Sequence, residues 1–387
     1  MRLDVTARHD RRYVCSVFVF IAIGLLAASA SAQGDGERSQ LSALLGSDAD
    51  AGFRKAMAPR TFVFPQDHGP HPDYRNEWWY MTGNLDAEDG RRLGFELTIF
   101  RFALAPEKSE SASAWHTNQV YIAHFALTDA AGKRFYVAER FSRGALGLAG
   151  ARAEPFRVWI DDWEIAVATE AGASERWRLQ ASDNEFALDL ALVAEKTPVL
   201  NGIDGLSQKS VEPGNASYYY SITRWRTAGR VRIDGEDFSV SGFSWLDREW
   251  SSSALAADQQ GWDWFALQLA DGSELMFYNL RKTDGSQDVH SAGTWIPAAG
   301  SARHIPRDQM SISVTDTWTS PSGGVYPSAW ELRLPEYGLS LRVVPVLDDQ
   351  ELFTTVRYWE GAVDVAGERN NIKINGRGYV ELTGYAE

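Results

Sequence analysis

Arg92-Leu93-Gly94-Phe95-Glu96-Leu97-Thr98-Ile99-Phe100-Arg101 is the stretch on which the fold turns. Its apolar residues recur at every second position, the spacing of a strand whose successive side chains point to opposite faces. The same period runs through Val120 to Thr128, Trp262 to Leu269 and Leu341 to Val346. Turn dipeptides separate such runs at the intervals of antiparallel sheets: Asp89-Gly90, Ala131-Gly132, Asp234-Gly235, Asp271-Gly272, Asp284-Gly285 and Asn375-Gly376. No long segment carries a helical stripe. The pattern predicts an all-β chain, with about ten strands between Asn76 and Trp245 and about eight between Trp262 and Tyr385, enough for a closed or sandwiched sheet in each half. The joint is expected within Ser251 to Gly261. The polar, glycine-bearing segment from Asn201 to Gly214 is a rival boundary, or a long loop over a barrel mouth.

Outward from the strands, the amino end reads as an export signal. Arg2, Arg8, Arg11 and Arg12 precede the apolar run Val14 to Ala28 and the small-residue sequence Ala30-Ser31-Ala32, the order of charged region, apolar region and cleavage site. The run is short for a spanning helix. The expectation is a signal peptide over 1–32, cut near Ala32 to leave no transmembrane span, and a periplasmic or secreted protein; retention as an anchor is the alternative. Residues 33–59, polar and small apart from a weak helical patch at Ser39 to Leu45, read as a flexible leader. The only cysteine, Cys15, lies inside the signal. The mature chain then has no disulfide and no thiol chemistry, and its core alone must hold it. The full chain carries a net charge of −14, which argues against nucleic acid as a partner.

A resemblance to a known family rests on several blocks. These are Glu77-Trp78-Trp79-Tyr80-Met81-Thr82-Gly83-Asn84-Leu85, Phe95 to Arg101, Ala123-His124-Phe125-Ala126-Leu127, Gly261-Trp262-Asp263-Trp264-Phe265 and the tail Gly378 to Tyr385. The most specific is Ser244-Trp245-Leu246-Asp247-Arg248-Glu249-Trp250-Ser251-Ser252. Together, from about Phe62 to Tyr385, they resemble the secreted AttH-like proteins, grouped with the carotenoid 1,2-hydratases (hydroxyneurosporene synthases) and labelled predicted secreted hydrolases. The resemblance implies two tandem lipocalin-like antiparallel β-barrels, here over 60–250 and 251–387. It implies association with an ABC-transporter permease for the AttH-like members, and addition of water to an isolated double bond of an acyclic carotene for the hydratase branch. A shared fold does not decide between them. An internal echo also stands out: Trp78-Trp79-Tyr80 and Tyr358-Trp359-Glu360 both lead through a glycine into strand pattern.

Hydrating an unactivated alkene needs an acid able to protonate carbon, a dry pocket and a means of stabilising the cation. A carboxyl among aromatic rings supplies all three without a cofactor, because burial raises its pKa and ring faces attract positive charge. Asp247 and Glu249 are the candidate catalytic residues. On a strand they share a face with Trp245, while Arg248 and Trp250 share the other. The competing reading is an ion-pair cluster in which both acids bond arginines or backbone. In the hydratase branch the resemblance implies a histidine beside the aspartate; Arg248 stands there instead, and arginine does not shuttle protons at neutral pH.

Other chemistry finds little support. His116 and His124, eight apart, are separated on one strand by roughly 26 Å, and His68 and His71 lack acids at ligand spacing beyond Asp67 and Asp73, so no metal site is expected. His124 reads as a hydrogen-bonded core or pocket residue. Val240-Ser241-Gly242-Phe243-Ser244 is in the wrong register for a serine-nucleophile elbow. The fifteen tryptophans are either core or the lining of a cavity for a long apolar ligand. Trp245, Trp250, Trp262, Trp264, Tyr220, Arg224, His124 and Gln268 are the candidate ligand-binding residues. The sequence thus points first to a periplasmic protein binding a hydrophobic lipid or isoprenoid beside a transporter permease. Its alternative is a cofactor-independent hydratase or hydrolase in which Asp247 is the acid, Glu249 holds water, and Trp245, Trp262 or Tyr220 shapes the cation site.

Overall fold

The computed structural model describes residues 51–107, 111–168, 176–253 and 255–386; the expected signal peptide, Cys15 and the helical patch lie outside them. Nearly every element is a strand, and the strands form two curled antiparallel sheets, a barrel and a half-barrel.

The first sheet has thirteen strands among the described residues. From edge to edge its path runs through Arg134–Arg143, Gln119–Asp129, Arg92–Ala103, Asn76–Ala87, Glu236–Ser251, Ala216–Ile233, Phe186–Ala194, Arg176–Ser182, Trp163–Ala168, Phe156–Ile160 and Ala149–Ala153. The sheet curls until the strands near one edge pack on those near the other. Two short strands, Val199–Leu200 and Leu206–Gln208, add to Ala216–Ile233. The second sheet has ten among the described residues: Arg303–Pro306, Ala292–Ile296, Glu274–Lys282, Gln259–Leu269, Ile372–Thr383, Arg357–Arg369, Leu339–Pro345, Val325–Leu334 and Ser311–Thr319, with Glu351–Phe353 paired to Arg357–Arg369. The counts exceed the expected ten and eight in part because strands of two or three residues are too short to show a period.

Alternation decides what each strand buries. In the first sheet Trp79, Met81, Leu97, Ile99, Leu246 and Trp250 fill the interior of the curl. In the second, Phe265, Trp330, Trp359 and Val380 do the same. The other faces of the central strands meet across the joint, where Tyr80, Tyr219, Trp245, Trp264, Met276 and Tyr379 form a third apolar cluster. Two expectations need correction. Residues 51–59, read as leader, pack on the first sheet: Ala56 is buried, Ser252 Oγ donates to the Arg54 carbonyl at 2.6 Å, and Tyr218 Oη to that of Ala58 at 2.8 Å. Asn375-Gly376 is no turn but lies within Ile372–Thr383. The reversal falls at Asn370-Asn371, both left-handed (φ 52° and 65°). No described helix is long and apolar enough to cross a membrane.

Candidate functional site

A cleft opens between the two sheets, with about 1270 Å³ of atom-free space, open solvent included. The first sheet contributes Trp78, Phe100, Phe102, Ile122, His124, Tyr219, Asp247 and Glu249, and the second Trp262, Trp264, Tyr278, Leu280, Tyr358 and Glu381. The Ser244 to Ser252 block explains this directly. Its strand stands between Asn76–Ala87 and Ala216–Ile233, placing Asp247 opposite Tyr80 on one side and Ser221 on the other. Odd-numbered side chains face the second sheet and even-numbered ones the interior of the curl.

The two halves of the motif therefore do different work. Arg248, fully buried, forms an ion pair with Glu77, which also pairs with Arg101. Burial raises the Glu77 pKa, but the two guanidiniums and His71 outweigh it and hold the carboxyl far below the usual range. Asp247 makes no ion pair among the described residues. It accepts hydrogen bonds from Ser221 Oγ at 2.5 Å, from Trp245 Nε1 at 2.7 Å and from Tyr219 Oη. Burial pushes its pKa up to about 7 against the pull of those donors, and the neighbouring Glu249 adds to the rise. Glu249 accepts from Ser217 Oγ and pairs with Lys209 at 3.1 Å. The Lys209 ammonium lies 4.3 Å from the Tyr278 ring centre and 5.5 Å from that of Tyr219. Burial lowers the Lys209 pKa, yet Glu249 and its neighbours more than offset this and keep the amine charged.

A second acid faces the cleft from the other sheet. Glu381 is paired across strands with Trp264 on one side and Glu360 on the other. Burial pushes its pKa up to about 7, opposed by Trp262 and reinforced by Glu249 and Asp247. Behind it, Glu360 accepts from Tyr80 Oη at 2.5 Å, and neither oxygen of Glu96 has a hydrogen-bond partner among the described residues. Burial raises both well above the usual carboxyl range, helped by repulsion from Glu381 and, at Glu360, from Glu96 as well. At the other end His124 Nδ1 lies 2.7 Å from Tyr358 Oη and its Nε2 lies 3.0 Å from Glu139. In the neutral ring, Nε2 donates to Glu139 and Nδ1 accepts from Tyr358. Glu139 also accepts from the Thr355 amide at 3.0 Å.

With this geometry in place, the AttH-like family model matches residues 55–385. The chain belongs to the AttH-like family. A protein of Nitrosomonas europaea described as AttH is 35% identical over 87% of this chain and all of its own, with a TM-score of 0.77. Kievitone hydratase of Nectria haematococca superposes with a TM-score of 0.63 at 15% identity, over 87% of this chain and 97% of its own. CghA, solved with Sch210972, gives 0.50 at 11%, over 92% and 98%. At these last identities the likeness is one of fold. No functionally curated protein matches the chain in sequence.

Of the residues singled out in the sequence, Asp247, Glu249, Trp262, Trp264 and His124 line the cleft, and Trp245 braces Asp247 from behind. Trp250 and Tyr220 lie on the opposite faces of their strands, inside the first curl; Trp250 stacks on His71 at 3.7 Å and Tyr220 bonds His68 at 2.7 Å. Arg224 and Gln268 tie the sheets together outside the cleft, the first to Glu274 at 2.6 Å and the second to the Thr223 carbonyl at 2.7 Å. Sequence reasoning missed Lys209, Tyr219, Glu381, Glu139 and Tyr358. A signal existed for Glu381, an acid alternating with Val380 and Leu382 on a buried strand. None existed for Lys209, which reaches the cleft from the segment between the short strand Leu206–Gln208 and Ala216–Ile233. Among the described residues no group of three His, Cys, Asp or Glu is arranged to hold a metal ion.

Proposed function

We propose that this protein is a cofactor-independent, hydratase-type enzyme that protonates a carbon–carbon double bond of an apolar molecule held between the two sheets. The observation that carries this reading is Asp247: a buried carboxyl in a cleft wall, with a pKa of about 7, no ion pair among the described residues and three hydrogen bonds fixing its direction. About half of it is protonated at neutral pH, so it both gives and recovers a proton there. The Trp78, Trp262 and Trp264 side chains bound the space in which a cation would form. Water then adds to the cation and loses its proton to the Asp247 carboxylate, which restores the acid. The likeness in fold to a hydratase supports the reading.

The test uses kievitone and squalene as trial substrates in water enriched in ¹⁸O, read by mass spectrometry. A product heavier by one labelled water, formed by the natural chain and lost in Asp247→Asn, is the expected result. Labelled product at equal rate from both proteins removes Asp247 from the mechanism.

A second reading has its own support in the apolar wall of Phe100, Phe102, Ile122 and Leu280: a carrier of hydrophobic molecules working beside an ABC-transporter permease. Bound ligand recovered unchanged from both proteins favours it. Either role is proposed for a periplasmic or secreted protein, and a mature amino terminus at Gln33, read by intact mass after expression with the natural leader, is the expected sign of export.

A further inference from the structure

Besides its tyrosines, six ionisable side chains among the described residues face the cleft: His124, Glu139, Lys209, Asp247, Glu249 and Glu381. Four are acids, drawn from both sheets. Lys209 is the only lysine or arginine among the described lining residues, and its charge is already spent on Glu249 at 3.1 Å. His124 is engaged on both ring nitrogens, by Glu139 and Tyr358. Behind the wall, Glu96 and Glu360 add two more buried acids, with no ion pair to either among the described residues. An incoming carboxylate therefore meets no free cation. It would have to force protons onto Asp247 and Glu381 or lie beside them as a like charge in a site shielded from water.

We propose that the inter-sheet cleft selects uncharged apolar molecules and turns away their carboxylate analogues, with Glu381 and the Lys209–Glu249 pair as the residues that set this preference. The inference rests on the reading of the cleft as an apolar binding site and narrows its ligand class: an alcohol, ketone or hydrocarbon rather than a fatty acid. The positions of both acids and the pairing of the lysine carry it. Ionised carboxyls of the wall accept a hydrogen bond from a neutral hydroxyl on the ligand, which a carboxylate has no proton to give.

Retinol and retinoic acid differ in charge at nearly constant shape, and quenching of tryptophan fluorescence at pH 8 reports binding of each to the full chain. Retinol is expected to bind roughly tenfold tighter or more, a lower bound because one unscreened like-charge contact near a protein surface is larger than that. Glu249→Gln frees the Lys209 ammonium and should raise the affinity for retinoic acid relative to retinol by about tenfold. Glu381→Gln, which breaks no ion pair among the described residues, should narrow the gap in the same direction and gives the same readout if the first variant fails to fold. Equal affinities in the natural chain, or tighter retinoic acid, overturn the charge selection and leave the apolar site intact. If neither retinoid binds, the underlying reading of the cleft falls with it.

Discussion

At the scale of single residues, the charge states of the cleft make the sharpest claims. The Asp247 pKa of about 7 lies above the ordinary 3.8. Between those values the native state holds more protons than the unfolded chain, so this group's contribution to stability falls as pH rises and levels off above pH 7. Asp247→Asn removes the effect while keeping the shape. Its stability relative to the natural chain should therefore climb from pH 4.5 to pH 8, by up to about 4 kcal/mol for a shift of three units, as read by urea unfolding at each pH. A flat difference would mean that the carboxyl is ionised at ordinary pH. The Lys209–Glu249 pair behaves differently, because each member leaves the other buried and alone. Lys209→Met should cost about 3–5 kcal/mol, and adding Glu249→Gln should recover most of it. Strictly additive losses in that double-mutant cycle would show that the pair contributes nothing as a pair.

At the scale of elements, the internal echo gains a structural meaning. Trp79 and Trp359 each plug the interior of their own sheet. Trp78 and Tyr358 line the cleft from opposite walls, and Tyr80 and Glu360 bond to each other across the joint. Period two told which residues share a face, and the split of Asp247 and Glu249 from Arg248 and Trp250 follows from it. Period alone does not say which face meets the second sheet. For that reason the sequence reading names Tyr220, whereas its neighbour Tyr219, on the other face, is the residue that bonds Asp247. Lys209 and Thr355 were illegible for another reason: they come from irregular segments whose place is set by long-range packing. The Asn375-Gly376 dipeptide misled because its glycine serves close approach. A Cβ there would lie 2.4 Å from the Gln268 carbonyl oxygen and 3.0 Å from Leu269 Cα. Gly376→Ala should accordingly cost about 1–3 kcal/mol, measured as a fall in melting temperature. A variant as stable as the parent would show that the strands can part there without penalty.

At the scale of the molecule, the two sheets share more than a covalent link. Besides the Tyr80 to Glu360 bond, Asn84 Nδ2 donates to the Gly378 carbonyl at 3.0 Å, Thr128 Oγ1 to Gln350 at 2.7 Å and Thr294 Oγ1 to Asn201 at 2.8 Å. Lys196 and Arg224 of the first half both pair with Glu274, which is fully buried in the second. Separating the sheets would strip these groups of their partners at once and expose the apolar cluster at the joint, so neither sheet gains by unfolding first. The expected behaviour is a single thermal transition in which tryptophan fluorescence and far-ultraviolet dichroism coincide, although each sheet has its own core. Its midpoint should fall between pH 5 and pH 9, because Glu96, Glu360, Glu381 and Asp247 all have raised pKa values and each holds its proton more tightly in the native state than in the unfolded one. Two separate transitions would show that the joint adds little to either sheet. A midpoint that rose over that range would show that cationic partners, not neutral carboxyls, hold the sheets together.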